Sequence, residues 1–306
     1  MARAGASTMI DAPPQKTGAP RRTEPAFALS VDVEDYFQVQ AFAAYAPRES
    51  WGRYPSRVAA NTHRLLDLFD SAGATGTFFT LGCVAREQPS LIREIAARGH
   101  EVASHGVDHR MITELSPAEF RSQATESKAL LEDLSGQRIL GYRAPSYSVG
   151  RSTLWALDIL LEAGYAYDSS VYPIRRRRYG YPEGPRVPAL LSTGQGTIAE
   201  FPLPTVSVGP LRLPVLAGAY LRLFPSWLSL GALDRHAATG TPLVVNVHPW
   251  ELDPDQPTVG PSRRPWTHYA RLGATEGILR RIVTRARFLP VVDRLRELGL
   301  LAVTSS

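Results

Sequence analysis

Cysteine and methionine are scarce in this 306-residue chain, with one and three copies respectively. A single thiol, Cys83, excludes an intramolecular disulfide and any zinc site built on cysteine pairs. In its apolar surroundings Cys83 reads as a packing residue, not a nucleophile. Long hydrophobic runs are also missing, and no stretch approaches the ~20 apolar residues that cross a bilayer. Residues 1–25, rich in proline and small side chains, contain no apolar run of signal-peptide length. The expectation is a disordered tail over 1–25 and a soluble, cytoplasmic protein. Charge of one sign is limited to a net +5, much of it in the run Arg175–Arg178. No aromatic or glycine-rich signature accompanies that run, which argues against nucleic acid. It reads as a solvated loop, with weak peripheral contact to an anionic membrane surface as the other reading.

What is present is an ordinary globular composition, 44% hydrophobic and 21% charged, with enough apolar mass for a core. From Ala26 short apolar runs alternate with helical periodicity. "AFALSVD", "TGTFFTLG", "HEVASHG", "RILGYRAP" and "YAYDSS" read as strands. Between the first two, Val58, Thr62, Leu65, Leu66 and Phe69 share one helical face, and Gly73 stops the helix. Ser116, Pro117 and Glu119 form a capping box that opens another helix. After Asp168 the pattern loosens into loops rich in Pro, Gly and Arg. Strands are expected at "GTIAEFPL", "PLVVNV" and "LLAVT", and helical periodicity over "TEGILRRIVTRARFLPVVDRLRELG". The alternation predicts an α/β protein with a parallel sheet, open or closed into a barrel. One domain is expected over 26–306, with a decorated C-terminal third from about residue 170. In either architecture ligands gather at the carboxyl ends of the strands.

Three acids crowd one such end: Asp32, Glu34 and Asp35, in "SVDVEDYF". Buried carboxylates are costly unless paired or bound to a cation. Strand alternation sends Asp32 and Glu34 to one side and Asp35 to the other. One same-side acid suits a metal and the other a base. Histidine is rare, at seven copies, yet His105 and His109 stand four apart after a strand, where one helical turn would bring both imidazoles together. Two imidazoles and a carboxylate form a divalent-metal site with open positions. His248 follows the apolar strand "PLVVNV", where it could serve as an acid.

The motifs "SVDVEDYF", "SHGVDH", "RAPSYS", "YDSS" and "VNVHPWE", in that order, resemble the five motifs of the polysaccharide deacetylases, carbohydrate esterase family four with the NodB-homology fold. The resemblance covers roughly residues 26–250. "DVEDYFQVQAF" and "THYARLGATEGILRRIV" resemble the subgroup tied to bacterial exopolysaccharide loci of the exosortase type. It implies a distorted (β/α) barrel and metal-dependent removal of N-acetyl groups from an acetylated glycan. Asp32 would be the base, and His105 and His109 metal ligands, usually for Zn²⁺. Arg143 would orient the base, while Pro145, Ser146 and Tyr147 would lie where a backbone N–H holds the oxyanion. Asp168 would tune the acid His248, and Val245 would line the acetyl pocket. The chain departs from the family at its first motif, where a second aspartate is common and Val33 stands instead. Glu34 is then the preferred metal ligand and Asp35 the alternative. Some members of this fold open cyclic imides or ureides. Non-haem iron oxygenases use a similar ligand set, though on all-β folds.

Overall fold

The computed structural model describes residues 25–176, 179–209, 211–260 and 265–302. Apart from Pro25, the expected tail lies outside the described residues, as do Arg177 and Arg178.

The first half alternates as its periodicity predicts. Strand β1 (Ala26–Val33) is followed by α1 (Val58–Ala72), β2 (Thr77–Thr80), α2 (Gly82–Glu87), α3 (Pro89–Ala97) and β3 (Glu101–Ser104). Next come α4 (Pro117–Ser135), β4 (Gly141–Tyr142), α5 (Trp155–Glu162) and β5 (Tyr167–Asp168). Val58, Thr62, Leu65, Leu66 and Phe69 of α1 are all buried, and Gly73 closes the helix in the left-handed region (φ 63°). Ser116 Oγ accepts the Glu119 amide and Glu119 reaches back, so the capping box is formed. Such a cap is worth about 1 kcal/mol.

The second half is less regular. An antiparallel pair, β6 (Ala189–Thr193) and β7 (Gly196–Glu200), precedes a separate hairpin, β8 (Thr205–Val208) and β9 (Leu211–Pro214). Helices α6 (Ala219–Leu223) and α7 (Ser226–Thr239) lead to β10 (Val244–Val247). The chain ends through α8 (Trp266–Tyr269), α9 (Thr275–Val283), β11 (Arg287–Leu289) and α10 (Val291–Glu297). Two expectations change here. "LLAVT" forms no strand over its described part, Leu300–Ala302. The three residues of β11, too short to interrupt a helical period, pair in parallel with Ala26–Ala28 instead.

The sheet runs β10-β1-β2-β3-β4-β5-β7-β6, parallel except for the last pair. Among the described residues no ladder joins its two ends. Irregular chain spans the gap: Val215 donates to the Pro204 carbonyl (3.3 Å), and Leu216 and Gly218 exchange backbone hydrogen bonds with Asn246. The architecture is thus the expected α/β fold, with its ring completed by loops instead of strand pairing. Alternation sorts the two faces. Ala28, Phe79, Ala103, Tyr167, Ala199 and Val244 form an inner layer, while Leu29, Val31, Val33 and Phe78 pack outward against the helices. Gly141 is obligatory in the inner layer, because a Cβ there would lie 2.1 Å from the Tyr167 ring. Tyr36, Phe37, Phe42 and Trp250 build a third, smaller cluster.

Candidate active site

The carboxyl ends of β1, β3, β4 and β10 converge on one cavity of about 300 Å³. Asp32 stands near the end of β1 and Glu34 just past it, with His105, Arg143 and His248 each immediately after its strand. Register explains the grouping: Ser30 pairs with Asn246 and Asp32 with Phe79, so side chains of equal parity meet on the inner face.

Asp32 is 2% exposed. Its Oδ1 accepts from Arg143 Nη1 (2.7 Å), and its Oδ2 accepts from Tyr147 O–H and Asn246 Nδ2 (both 3.2 Å). Burial alone would raise its pKa, but Arg143, with His248 and His105, holds it well below the usual carboxylate range. Arg143 is fully buried and saturated: it also donates to the Ser169 carbonyl, Ser169 Oγ, Ser30 Oγ and Asn246 Oδ1, and stacks on Phe79 at 4.0 Å. Removing one partner of such a buried pair costs about 3–5 kcal/mol. Tyr147 stays a neutral phenol, its pKa pushed well above 10 by burial and by Asp32.

Glu34, His105 and His109 place one ligand atom each within 4.8 Å of one another, all buried. His105 Nδ1–H donates to the Arg143 carbonyl (2.8 Å), which leaves the Nε2 lone pair outward. Burial holds His105 neutral, with its pKa down at about 4. Glu34 Oε1 accepts from Trp250 Nε1 (3.1 Å). Its Oε2 lies 2.7 Å from His109 Nε2, yet without the alignment of a hydrogen bond, and His109 Nδ1 also has no partner. Against the effect of burial, His109 draws the Glu34 pKa down to about 2. Buried polar atoms left this way cost about 1–3 kcal/mol each, and a shared cation would satisfy the carboxylate. The donor set therefore fits a divalent metal.

Opposite stands His248, stacked on Trp250 (5.2 Å, 24°), with Nε2 3.5 Å from Asp32 Oδ2 and 3.7 Å from Glu34 Oε1. Its Nδ1–H donates to Glu251 Oε1 (2.6 Å). Burial would lower its pKa, but Asp32, Glu251 and Glu34 lift it well above the histidine range. Backbone strain concentrates here. Of the five described non-glycine residues with left-handed φ, three are His109, Ser146 and Tyr147, at 57°, 55° and 53°. Each such residue costs about 1–3 kcal/mol and persists only where its surroundings impose it.

Several expected residues lie elsewhere. Asp35 turns away from the cluster, accepting the Arg57 and Val58 amides and Ser56 Oγ at the start of α1. Val245 faces the outer core, because its neighbour Asn246 takes the inner side of β10. Asp168 does not meet His248. Its oxygens accept from Ser170, whose Oγ in turn accepts the Ala144 amide, so it braces the Arg143 loop. Burial raises the pKa of Asp168 and of its neighbour Glu200, Glu200 more strongly because Asp168 stands beside it. Pro145 has no N–H and the Tyr147 amide donates to the Ala144 carbonyl, which leaves Ser146 as the backbone donor of that turn. Sequence reasoning missed Asn246, Glu251, Arg222 and His268. Asn246 was legible from parity with His248, and Glu251 as the third residue after it. His268, stacked on Trp250 at 4.1 Å, and Arg222 carried no local signal. Trp250 is buried at the cavity wall, whereas Trp266, 66% exposed, sits on the adjoining α8.

Residues 52–167 match the family model described as polysaccharide deacetylase. This stretch is similar in sequence to polysaccharide deacetylases. The deacetylase-like segment is followed by residues 169–296, which match a model described as a domain of unknown function (DUF3473). A peptidoglycan deacetylase-like protein of Gibberella zeae is 32% identical over 124 residues, 40% of this chain and 35% of the relative. A chitooligosaccharide deacetylase of Bradyrhizobium is 27% identical over 111 residues, 36% of this chain and 48% of the relative. The chain thus spans between a third and a half of these relatives' lengths. Among solved structures, a Mycobacterium smegmatis chain assigned as a polysaccharide deacetylase superposes with TM-score 0.61 at 21% identity, over 95% of this chain and 96% of that one. An allantoinase superposes with TM-score 0.62 at 16% identity, over 94% of each chain. These likenesses establish the fold. No helix among the described residues is long and apolar enough to cross a membrane.

Proposed function

We propose that the protein is a metal-dependent hydrolase that removes N-acetyl groups from an amino-sugar polysaccharide or oligosaccharide, in exopolysaccharide biosynthesis. The observation that carries this reading is the meeting, in one cavity, of an arginine-held carboxylate, a Glu34–His105–His109 cluster and a carboxylate-backed histidine. When bound at Glu34, His105 and His109, a divalent ion, Zn²⁺ by its N/O donor set, supplies Lewis acidity and brings the pKa of water toward neutrality. Asp32 accepts the proton of the attacking water, and Arg143 and Asn246 keep that carboxylate aimed and ionised. The Ser146 amide stabilises the developing oxyanion. As the carbon–nitrogen bond breaks, His248 Nε2 delivers a proton to the departing amine, which would otherwise leave as a very basic anion. Tyr147 lends its hydroxyl to hold Asp32, and Asp168 braces the loop beneath. The matched relatives named as deacetylases support this reaction class.

Acetate release from a panel of N-acetylated glycans tests it, with loss on chelation and recovery with zinc as the expected result. No acetate from any glycan, or iron content with oxygen-dependent turnover, would overturn it. The allantoinase likeness favours one second reading, hydrolysis of a cyclic amide, which ring opening of an imide or ureide without acetate release would establish. A cytoplasmic location belongs to the proposal, and the lone thiol Cys83, which accepts from Gln38 and is raised by burial to about 12, suits a reducing compartment. Cell fractionation checks it. A salt-releasable membrane pool would support peripheral docking through Arg175–Arg178.

A further inference from the structure

Directly behind His248 stands a second buried ion pair, one partner of which, Glu251, closes the motif "VNVHPWE" without an assigned role. Glu251 and Arg222 are both 0% exposed. Arg222 Nε donates to Glu251 Oε2 (2.9 Å), while its Nη1 donates to the carbonyls of Thr267 (2.8 Å) and Ala270 (2.5 Å). The free carboxylate oxygen, Glu251 Oε1, accepts from His248 twice: from Nδ1–H at 2.6 Å and from the backbone amide at 3.2 Å. The carboxylate is thereby tied on both sides and cannot swing without breaking the pair. Gly218 leaves room for the imidazole: a Cβ there would lie 3.3 Å from His248 Cε1. An ion pair out of contact with water is expensive, and apolar residues of the same volume often stabilise a fold as well or better. Its position against a reactive imidazole therefore points to a task other than stability.

We propose that Glu251, clamped by Arg222, is the positioning residue of His248, fixing the Nδ1–H tautomer and aiming Nε2 into the cavity in place of Asp168. A carboxylate accepts and does not donate, so it selects that tautomer. Asp168 is occupied by Ser170 and lies beside Glu200. The consequence reaches beyond one residue. Arg222, Glu251, Thr267 and Ala270 all belong to the segment of unknown function, 169–296, which would supply His248 together with its complete support. The inference rests on the reading of His248 as the acid of a deacetylase.

Two measurements on the full chain decide it. Long-range proton–nitrogen correlation of ¹⁵N-histidine-labelled protein, recorded at a pH high enough that His248 is neutral, reads its tautomer, and steady-state acetate release from N-acetylated chitooligosaccharides separates kcat from KM. Glu251→Gln should turn a single Nδ1–H form into a mixture and lower kcat about 10- to 100-fold, as loss of a supporting partner typically does. KM should stay within about twofold, because substrate binding is not what the residue serves. Glu251→Asp should restore part of kcat, and Asp168→Asn should leave the His248 signals where they are. If Glu251→Gln fails to fold, the double variant Glu251→Gln/Arg222→Met removes the stranded guanidinium and should show the same mixture. A wild-type kcat and spectrum in Glu251→Gln, or a shift of His248 in Asp168→Asn, would overturn the proposal. If the wild type releases no acetate from any glycan, the deacetylase reading fails, and the nitrogen spectrum still decides the role of Glu251.

Discussion

Apart from Asp32 and Glu34, which precede both, the deacetylase-like segment, 52–167, and the segment of unknown function, 169–296, contribute to the site in different ways. The first contributes His105, His109, Arg143 and Tyr147 from the ends of regular strands, each near a short-range motif. The second contributes Asn246, His248, Trp250, Glu251, Arg222 and His268, gathered from a strand, two short helices and loops. In the first half local periodicity and position in the fold agree. In the second, the motif "VNVHPWE" supplies Asn246, His248, Trp250 and Glu251, while Arg222 and His268, outside any motif, complete a buried ion pair and an aromatic stack. The acid side of the cavity is built by long-range packing, and the metal side by strand register.

The sharpest way to break this division is to separate the halves. A chain ended after Asp168 loses β10 and β11, both of which pair with β1, and the Asn246 side chain that bonds Arg143 and Asp32. We expect it to lack a cooperative thermal transition, which calorimetry would read. A well-folded fragment would show that the first half carries its own core. Next in size is Asp32→Asn, which removes the proposed base while keeping its shape. Acetate release should fall roughly 1,000-fold, within the range for a lost acid or base group, while zinc content stays unchanged. Equal loss of zinc would move Asp32 into the metal cluster.

A smaller effect probes the seam at the other end of the sheet. Glu101, in the first half, accepts from Tyr167 and from the Val292 amide of the C-terminal helix. Burial pushes its pKa up to about 7 from an ordinary 4.5. Between these two values the folded state holds more protons than the unfolded, so this group makes stability fall as pH rises from 4.5 to 7. Glu101→Gln should remove that fall, gaining on the wild type by about 2 kcal/mol across the window, a figure reduced because the residue keeps some solvent contact. Denaturant titrations at the two ends of the window measure it, and parallel stability curves would refute it. Smallest is Ser116→Ala, confined to one helix end in the regular half. It should cost about 1 kcal/mol with no change in kcat, and a large activity loss would mean that the capped helix communicates with the site.

Legibility followed the same division. The strand ends bearing Asp32, Glu34, His105, Arg143 and His248 could be read because apolar runs and turn residues punctuate them. The capping box at Ser116 and the glycine stop at Gly73 are statements about one or two helical turns, and such statements hold wherever the chain goes. Strand parity separated Glu34 from Asp35 correctly in direction. Parity applied to β10 would also have turned Val245 away from the cavity and Asn246 into it.

The sequence by itself determined the alternation of strand and helix, the faces those elements bury, and the residue types that crowd their carboxyl ends. These follow from periods of 2.0 and 3.6 residues and from local hydrogen bonding. Only the tertiary structure decided which carboxylate backs His248, because Glu251 and Asp168 are equally acidic in the chain and differ in where packing delivers them. Arg222 reaches Glu251 across 29 positions, and His268 reaches Trp250 from a helix of four residues. Contacts of that kind leave no periodic trace, since desolvation and ion pairing act on distance in space and not on spacing in the chain.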